Sequence, residues 1–263
     1  MSEGSQFAEV NGTRLHYRLD GPSGAPVLLL SNSLGTNLGM WDGQMPALTA
    51  RYRVLRYDSR GHGQSAVPGG AYTIDQLGRD AVALLDHLGF DKVAFCGLSK
   101  GGMVGMWLGA HAPERVTRLA LTNTAPHMPP AEQWDARIKT VSEQGMTAIT
   151  QGVVSRWFTQ AFQERAPTEV EPIRKMLLST DPIGYCGCCH AIRDMDQRAD
   201  LGRISAPVLV IGGTQDPSTP PHYSEEIARG IAGSTLVMLE AAHLSNIEQR
   251  EGYTTALLAF LEG

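Results

Sequence analysis

Short apolar runs recur along the chain, and most are followed by a segment with apolar residues at helical spacing. The runs that predict buried strands are 26–30, 52–57, 116–121, 207–211 and 235–239, together with a run that begins at 93. The segments that predict helices are 41–48, 74–88, 103–111, 221–231 and 246–261. Two strands around the turn Asn11-Gly12 predict a hairpin over 7–20. Strands that alternate with helices predict an α/β fold, a mainly parallel sheet with helices on both faces.

The rhythm changes between residues 126 and 199. Strand-like runs are absent there, and helix-like segments with Met, Trp and Arg are interrupted by prolines at 129, 130, 167 and 172. This pattern predicts a helical insertion that covers a site. We therefore expect a core domain made of residues 1–125 and 200–263, with a helical cap at 126–199.

The run that begins at 93 ends in a Gly-x-Ser-x-Gly motif, residues 97–101, and a helix-like segment follows. A strand, a sharp turn and a helix in this order place the serine on a strained turn, with its hydroxyl above the end of the sheet. Ser99 is therefore the predicted nucleophile. The alternative, a serine in an ordinary glycine-rich turn, is disfavoured by the strand before it and the helix after it.

A serine hydroxyl is a weak nucleophile until a histidine takes its proton, and that histidine is held by a carboxylate. Asp216 and His243 each follow a predicted strand directly, as Ser99 does. Because ligands and site residues gather at the carboxyl ends of parallel strands, we expect the three to lie together. The strand after the nucleophile helix ends in Thr-Asn-Thr (122–124) and offers no carboxylate, which favours Asp216. The alternatives are a helix cap for Asp216 and a surface loop for His243.

A tetrahedral oxyanion needs backbone N–H donors. One is predicted to be the N–H of Lys100, at the N-terminus of the predicted helix, where the dipole favours negative charge. The other is predicted to be the N–H of Leu34, in the small-residue loop after strand 26–30. The Lys100 side chain is expected to point to solvent; attraction of an anionic substrate is the alternative. Residues 58–63 predict a hydrogen-bonded turn that supports the floor of the site.

Composition narrows the class of protein. The 263 residues are 42% hydrophobic with a net charge of −5, which argues against nucleic acid as a partner. No apolar stretch has the roughly 20 residues that cross a bilayer, and residues 1–6 do not resemble a signal peptide. The four cysteines do not suggest a disulfide framework, so we expect a cytoplasmic protein. Cys186, Cys188, Cys189 and His190 lack a zinc-like spacing, so buried thiols and no metal site are expected.

Several segments resemble the α/β-hydrolase superfamily along nearly the whole chain. They are YDSRGHG (57–63), GLSKGG (97–102), GGTQD (212–216) and AH (242–243). A narrower set resembles the 3-oxoadipate enol-lactonases of aromatic catabolism. It consists of SNSLGT (31–36), MWD (40–42), GCC (187–189) and AIRDMD (191–196). Lactonases of that family usually have Met where this chain has Lys100.

The resemblance implies a substrate, a reaction and the absence of a cofactor. The substrate would be the enol-lactone of 3-oxoadipate, a small anionic lactone with an acetate arm, and the product 3-oxoadipate. Ser99 would attack the lactone carbonyl, His243 would take its proton, and water would release the acyl group. No metal or organic cofactor is needed. The acetate arm requires a cation, and the cap offers Arg137, Arg156, Arg174 and Arg193, with Trp134 and Trp157 as walls.

Among these side chains, Trp134 and Arg137 lie three residues apart, hence on one face of a predicted helix, and are the first choice for substrate binding, followed by Arg193. Other functions use the same residues: a carboxylesterase, a carbon–carbon bond hydrolase or a perhydrolase would have an identical triad. A non-catalytic receptor that keeps the fold and binds a ligand in its pocket is the second class. The sequence does not predict the oligomeric state.

Overall fold

Eight strands form one sheet in the computed structural model, which describes residue 4 and residues 6–263. The strands are β1 Gln6–Val10, β2 Thr13–Asp20, β3 Val27–Ser31, β4 Arg53–Tyr57, β5 Val93–Leu98, β6 Val116–Thr122, β7 Val208–Gly213 and β8 Thr235–Leu239. Their order in the sheet is β1-β2-β4-β3-β5-β6-β7-β8. β2 is antiparallel to both of its neighbours, and the other pairs are parallel. The carboxyl ends of β3 to β8 therefore meet at one edge.

The predicted α/β fold and its hairpin are confirmed. Asn11 and Gly12 join β1 to β2 with positive φ angles of 47° and 70°, the combination that a two-residue turn between twisted strands requires. β5 and β7 are buried at every residue, which explains why the central strands have continuous apolar runs rather than alternating ones. The predicted strand bounds lie within two residues of the observed ones, and those of β8 agree at both ends.

Helices flank the sheet; α3, for example, packs against β5 and β6. The helices are α1 Met45–Leu48, α2 Ile74–His87, α3 Lys100–His111, α4 Ala131–Gln144, α5 Thr147–Trp157, α6 Gln160–Arg165, α7 Pro167–Leu178, α8 Pro182–Asp194, α9 Pro221–Gly230, α10 Ser245–Glu248 and α11 Arg250–Glu262. Short 3₁₀ helices lie at Leu38–Trp41, Pro113–Arg115 and Arg198–Arg203.

Two predicted helices are interrupted. The predicted helix 41–48 is a 3₁₀ turn at Leu38–Trp41, capped by the Asn37 side chain, and then α1, because a polar segment at 42–44 separates them. The predicted helix 246–261 is divided into α10 and α11 at Gln249, whose φ and ψ are −121° and 50°. At this break the buried Glu248 carboxylate accepts the backbone N–H of Ala242 at 3.0 Å, next to His243.

The insertion between β6 and β7 consists of α4 to α8, and no described residue in it joins the sheet. Its two ends lie side by side. His127 and Asp196 form an isolated antiparallel bridge, and the N–H of Gln197 donates to the carbonyl of Pro126 at 2.8 Å. A chain that leaves and re-enters the core at one place fits a cap at 126–199, and the division into domains stays a prediction.

Three expectations from composition concern membrane-spanning helices, the state of the cysteines and a signal peptide. None of the described helices combines the length and apolarity needed to cross a membrane. The four cysteines are buried free thiols, and no group of three or more potential ligands is placed for a metal among the described residues. The signal-peptide expectation rests largely on residues 1–3 and 5, which lie outside the described residues, and the cytoplasmic setting stays a prediction.

Candidate active site

Ser99 lies on the sharp turn between β5 and α3. Its φ of 59° and ψ of −118° are unusual for a residue with a side chain, and strain of this kind is typical of functional sites. The turn needs both glycines of the motif. A Cβ at Gly97 would lie 2.1 Å from the carbonyl oxygen of Gly101, and a Cβ at Gly101 would lie 2.1 Å from the carbonyl oxygen of Ser31. The close approach of three chain segments therefore explains the motif.

Bonds from β6 and the residues after it hold the backbone of Ser99. Its N–H donates to the carbonyl of Thr122 at 2.9 Å, and its carbonyl accepts the hydroxyl of Thr124 at 2.8 Å. Because both backbone groups are held, the strained backbone conformation persists.

Asp216 and His243 are brought together by the parallel order of β7 and β8. The His243 Nδ1 lies 2.8 Å from the Asp216 Oδ2, and both side chains are buried. His243 and Ser99 line the same cavity. The predicted nucleophile, base and acid thus gather at the carboxyl edge of the sheet.

The Asp216 carboxylate has a full set of donors. Oδ1 accepts the N–H groups of Ser218 and Thr219 at 2.8 and 2.9 Å, and Oδ2 accepts the Thr219 hydroxyl at 2.7 Å. Burial acts to raise the pKa of Asp216, but His243 and the bonds from Thr219 and Asn123 outweigh it, so the pKa lies below its ordinary value. Because Asp216 is ionised, the proton of neutral His243 belongs on Nδ1, and Nε2 is free to accept one.

Asn123 is a residue of this site that sequence reasoning missed. It follows β6 with a φ of 42°, and its Nδ2 donates to the Asp216 Oδ2 at 3.0 Å and to the carbonyl of Ala242 at 3.2 Å. Its Oδ1 accepts the Ser245 hydroxyl at 2.5 Å. One amide thus ties the acid to the loop of the base. The available signal was an Asn directly after a strand that ends at the edge of the site.

The backbone of the β3 loop supports the predicted position of Leu34. The Ser33 carbonyl accepts both the N–H and the hydroxyl of Thr36, at 3.3 and 2.9 Å. In a trans peptide the carbonyl of one residue points opposite to the N–H of the next, so the Leu34 N–H points away from Thr36. Leu34 and Ser33 line the cavity. Lys100 is the first residue of α3, and its N–H therefore has no acceptor within the helix.

The prediction that the Lys100 side chain points to solvent is wrong. The residue is 1% exposed, and its Nζ donates to the Ser59 hydroxyl at 2.5 Å. Burial lowers the pKa of Lys100, and the carboxylates of Asp58 and Asp80 act against that shift. The lysine is buried because the 58–63 turn provides a hydroxyl acceptor and nearby negative charge beneath α3.

The predicted role of residues 58–63 as a hydrogen-bonded turn is confirmed. The Asp58 carboxylate accepts the N–H of Leu38 at 2.7 Å and the N–H of Gln64 at 2.9 Å. Arg60 makes a bidentate pair with Asp80 at 2.7 Å on both bonds. The turn thereby joins the β3 loop, α2 and the Ser99 helix into one support.

A cavity of about 240 Å³ lies between the sheet edge and the helical insertion. The core contributes its floor, and the insertion contributes aromatic, apolar and cationic walls: Met128, Trp134, Arg137, Val153, Arg156, Trp157, Tyr185 and Ile192. This volume suits a small ligand.

Arg137 and Arg156 both line this cavity, and no Asp or Glu among the described residues does. The Arg137 guanidinium lies 4.8 Å from the centre of the Trp134 ring, as expected for residues three apart on α4. Burial and the positive charge of Arg137 lower the pKa of Arg156. Two guanidinium groups that repel each other beside a cavity favour an anionic ligand between them.

Arg193 does not line the cavity. Its guanidinium is bound by Asp135 at 2.6 Å and by Asp194 at 2.7 Å, because the side chain leaves the end of α8 toward these acids. The structure thus puts Arg156, and not Arg193, beside Arg137. Arg174 is likewise paired, with Glu171.

Comparison with known proteins agrees with this architecture. Residues 26–149 match the model of the α/β-hydrolase fold family, and residues 184–262 match the family described as TAP-like protein. The 3-oxoadipate enol-lactonase 2 of Acinetobacter baylyi is 45% identical over 94% of this chain and 93% of its own. The enol-lactonase structure from Burkholderia xenovorans LB400 is 44% identical, with a TM-score of 0.97 over 98% of this chain and 100% of that one.

A second solved structure, a hydrolase from Pseudomonas aeruginosa PA01, is 48% identical, with a TM-score of 0.96 and coverage of 99% of both chains. These likenesses extend over the core and the helical insertion together. The chain therefore belongs to the α/β-hydrolases and, within them, to the family of 3-oxoadipate enol-lactonases, which are carboxylic ester hydrolases.

Proposed function

We propose that the protein hydrolyses the enol-lactone of 3-oxoadipate to 3-oxoadipate through an acyl group on Ser99, in the catabolism of aromatic compounds. The observation that carries this proposal is the cavity. It combines a serine on a strained turn, a carboxylate-bound histidine and two guanidinium groups in a space suited to one small molecule. A neutral ester would offer no negative charge to either guanidinium group.

In the proposed first step the His243 Nε2 takes the proton of the Ser99 hydroxyl as its oxygen attacks the lactone carbonyl. Asp216 stabilises the imidazolium that forms. The N–H groups of Leu34 and Lys100 bind the tetrahedral oxyanion. Such a donor typically stabilises the transition state by about 2.7–4 kcal/mol. Backbone bonds hold Ser99 before α3, and Thr36 holds the Ser33 carbonyl of the peptide that carries the Leu34 N–H, so neither donor needs to rearrange.

In the proposed second step the ring carbon–oxygen bond breaks. The leaving oxygen departs as an enol. It needs little acid assistance from His243, because an enolate is a good leaving group, and the enol then becomes a ketone. A water molecule then attacks the acyl carbonyl while His243 takes its proton, and 3-oxoadipate is released from Ser99. The acid and base steps use the same imidazole.

We assign the acetate arm to Arg137 and Arg156, with the Trp134 ring beside them. Charge-assisted bonds between guanidinium and carboxylate are short and strong, and planar groups match each other in a fork. Arg137 lies on α4 and Arg156 on α5. Residues 126–199 thus act as a cap that recognises the carboxylate of the substrate, and the core provides the groups that break the bond.

A kinetic comparison tests the proposal. The wild-type protein is assayed spectrophotometrically on the enol-lactone and on p-nitrophenyl acetate, beside Ser99→Ala and the control Ser155→Ala, an exposed serine on α5. We expect the wild type to have a much higher kcat/KM on the lactone than on the aryl ester. Ser99→Ala should lose turnover, and Ser155→Ala should keep the turnover of the wild type. Preference for the aryl ester by orders of magnitude would favour a carboxylesterase. Lactone hydrolysis at the wild-type rate by Ser99→Ala would exclude the mechanism.

A further inference from the structure

A buried imidazole that the proposed mechanism does not use lies behind the Leu34 loop. His62, in the 58–63 turn, is 1% exposed, and its Nε2 accepts the N–H of Gly35 at 2.9 Å. Gly35 directly follows the proposed oxyanion donor. The bond therefore connects the turn to the peptide on the far side of Leu34.

Gly35 is fixed from two sides. Opposite His62, its carbonyl accepts the Thr180 hydroxyl at 3.2 Å. Its φ is 76°, and an added Cβ would lie 2.5 Å from the Leu177 side chain, so glycine is favoured at this position. With Ser33 held by Thr36 on the other side, both peptides that flank Leu34 are anchored. The direction of the Leu34 N–H follows from these anchors.

The bond to Gly35 requires one protonation state of His62. A backbone N–H only donates, so Nε2 must carry a lone pair and the ring proton must be on Nδ1. Nδ1 lies 3.4 Å from the carbonyl of Arg60 and 3.9 Å from the Sγ of Cys188. An imidazolium would place a second N–H against that of Gly35 and push the loop away.

Among the described residues, two titratable side chains face His62 from neighbouring elements: Lys100 from α3 and Cys188 from α8. Burial and then the positive charge of Lys100 lower the pKa of His62 well below its ordinary value. Burial raises the pKa of the Cys188 thiol, so it provides no opposing negative charge at neutral pH. The lysine after the nucleophile thus disfavours the state that would break the bond.

We propose that His62 is a positioning residue that orients the Leu34 N–H through Gly35, and that the buried Lys100 keeps it able to accept that bond. This role rests on the function proposed above for Leu34. His62 touches no reacting atom and acts only through the loop. Lys100 thereby has two separate roles, one for its backbone N–H and one for its side chain.

The first test compares His62→Gln with His87→Gln, which replaces an exposed histidine on α2. We expect kcat on the lactone to fall about 10- to 100-fold in His62→Gln, since misplacement by about 1 Å costs that order. KM should change less than about threefold because the arginine wall is untouched. His87→Gln should behave as the wild type. A His62→Gln enzyme with an unchanged kcat, or with a loss confined to KM, would contradict the positioning role.

The second test uses the pH dependence of kcat. In Lys100→Met the repulsion on His62 is gone, its pKa rises, and the acid limb should move to higher pH. In the double variant His62→Gln/Lys100→Met that additional shift should be absent, because no imidazole remains to titrate. Persistence of the shift in the double variant would assign it to another group and overturn the role of Lys100.

A measurement on the wild-type protein does not depend on folding of the variants. ¹⁵N NMR of the histidine rings should show His62 as the neutral tautomer protonated at Nδ1, both at neutral pH and at the acidic pH at which an ordinary histidine is protonated. A tautomer protonated at Nε2, or an imidazolium at neutral pH, would overturn the proposal. If the wild type hydrolyses the aryl ester and not the lactone, the proposed function fails, and the His62 tests then use the aryl ester, which forms the same kind of oxyanion.

Discussion

Replacing Arg137 by Gln removes one of two cations from the wall of the cavity. A hydrogen bond to a charged group is worth about 1.5–3 kcal/mol, and about 1.4 kcal/mol corresponds to tenfold. Arg156 remains in the cavity wall of this variant. Burial still lowers the pKa of Arg156, but the repulsion from the Arg137 charge is removed. We therefore expect the lower part of the range, about a 10- to 30-fold loss of kcat/KM on the lactone, mainly through KM.

The control variant for this experiment is Arg165→Gln. Arg165 also lies over an aromatic ring, 5.1 Å from the centre of Phe162, and it is exposed on α6 rather than in the cavity. Its kcat/KM should match the wild type. Arg137→Lys should be intermediate, because it keeps the charge and loses the planar fork.

A neutral substrate separates recognition of charge from damage to the site. On p-nitrophenyl acetate, Arg137→Gln should retain wild-type kcat/KM within about twofold, because no carboxylate contacts the guanidinium. Equal losses on the lactone and on the neutral ester would refute charge recognition by Arg137. So would equal losses in Arg137→Gln and Arg165→Gln.

Two further predictions concern the frame of the site. Asn123→Ala removes a donor to Asp216, so the pKa of that carboxyl should rise. Titration of the Asp216 carboxyl by ¹³C NMR checks this, and an unchanged pKa would contradict it. Gly184→Ala would place a Cβ 2.0 Å from the Gly61 carbonyl oxygen. Thermal unfolding should therefore show a lower Tm, equivalent to about 1–3 kcal/mol of lost stability. Gly202→Ala, whose added Cβ would have no atom within 4 Å, is the control and should keep the wild-type Tm. Equal Tm values in the two glycine variants would contradict this prediction, because they would show that the close contact between the 58–63 turn and α8 is not needed for stability.

The positions of Ser99, Asp216 and His243 could be predicted because the reasons are local. Each follows a strand whose apolar run is evident in the sequence, and parallel strands bring their carboxyl ends together whatever the distance along the chain. The glycines of the motif add a steric reason that holds in any such turn. For these residues, the local sequence pattern and the topology of the sheet predict the same position, at the carboxyl edge of the sheet.

The surroundings of Lys100 could not be predicted in the same way. A lysine after a nucleophile is expected at the surface, and its burial depends on Ser59, Asp58 and Asp80, which come from other parts of the chain. The role of Asn123 could not be predicted either, because its donation to Asp216 depends on the pairing of β6 with β7.

The choice among the arginines of the insertion depended on packing between helices. Arg137 was predicted from its spacing to Trp134 within one helix, which is a local property. Arg193 is followed directly by Asp194, which binds it, and the packing of α4 against α8 adds Asp135. Arg156 has no such acid beside it in the sequence, and the docking of α4, α5 and α8 over the sheet places it at the cavity.

The central claim is that one activated serine, in a cavity that holds 3-oxoadipate, performs the reaction. The direct measurement is mass spectrometry after reaction with a serine-directed fluorophosphonate, with and without 3-oxoadipate. We predict one adduct per chain, on the tryptic peptide 93–100 that contains Ser99, with slower labelling in the presence of 3-oxoadipate and no adduct in Ser99→Ala. An adduct of the same rate in Ser99→Ala, or labelling of Ser99 that 3-oxoadipate leaves unchanged, would contradict the account.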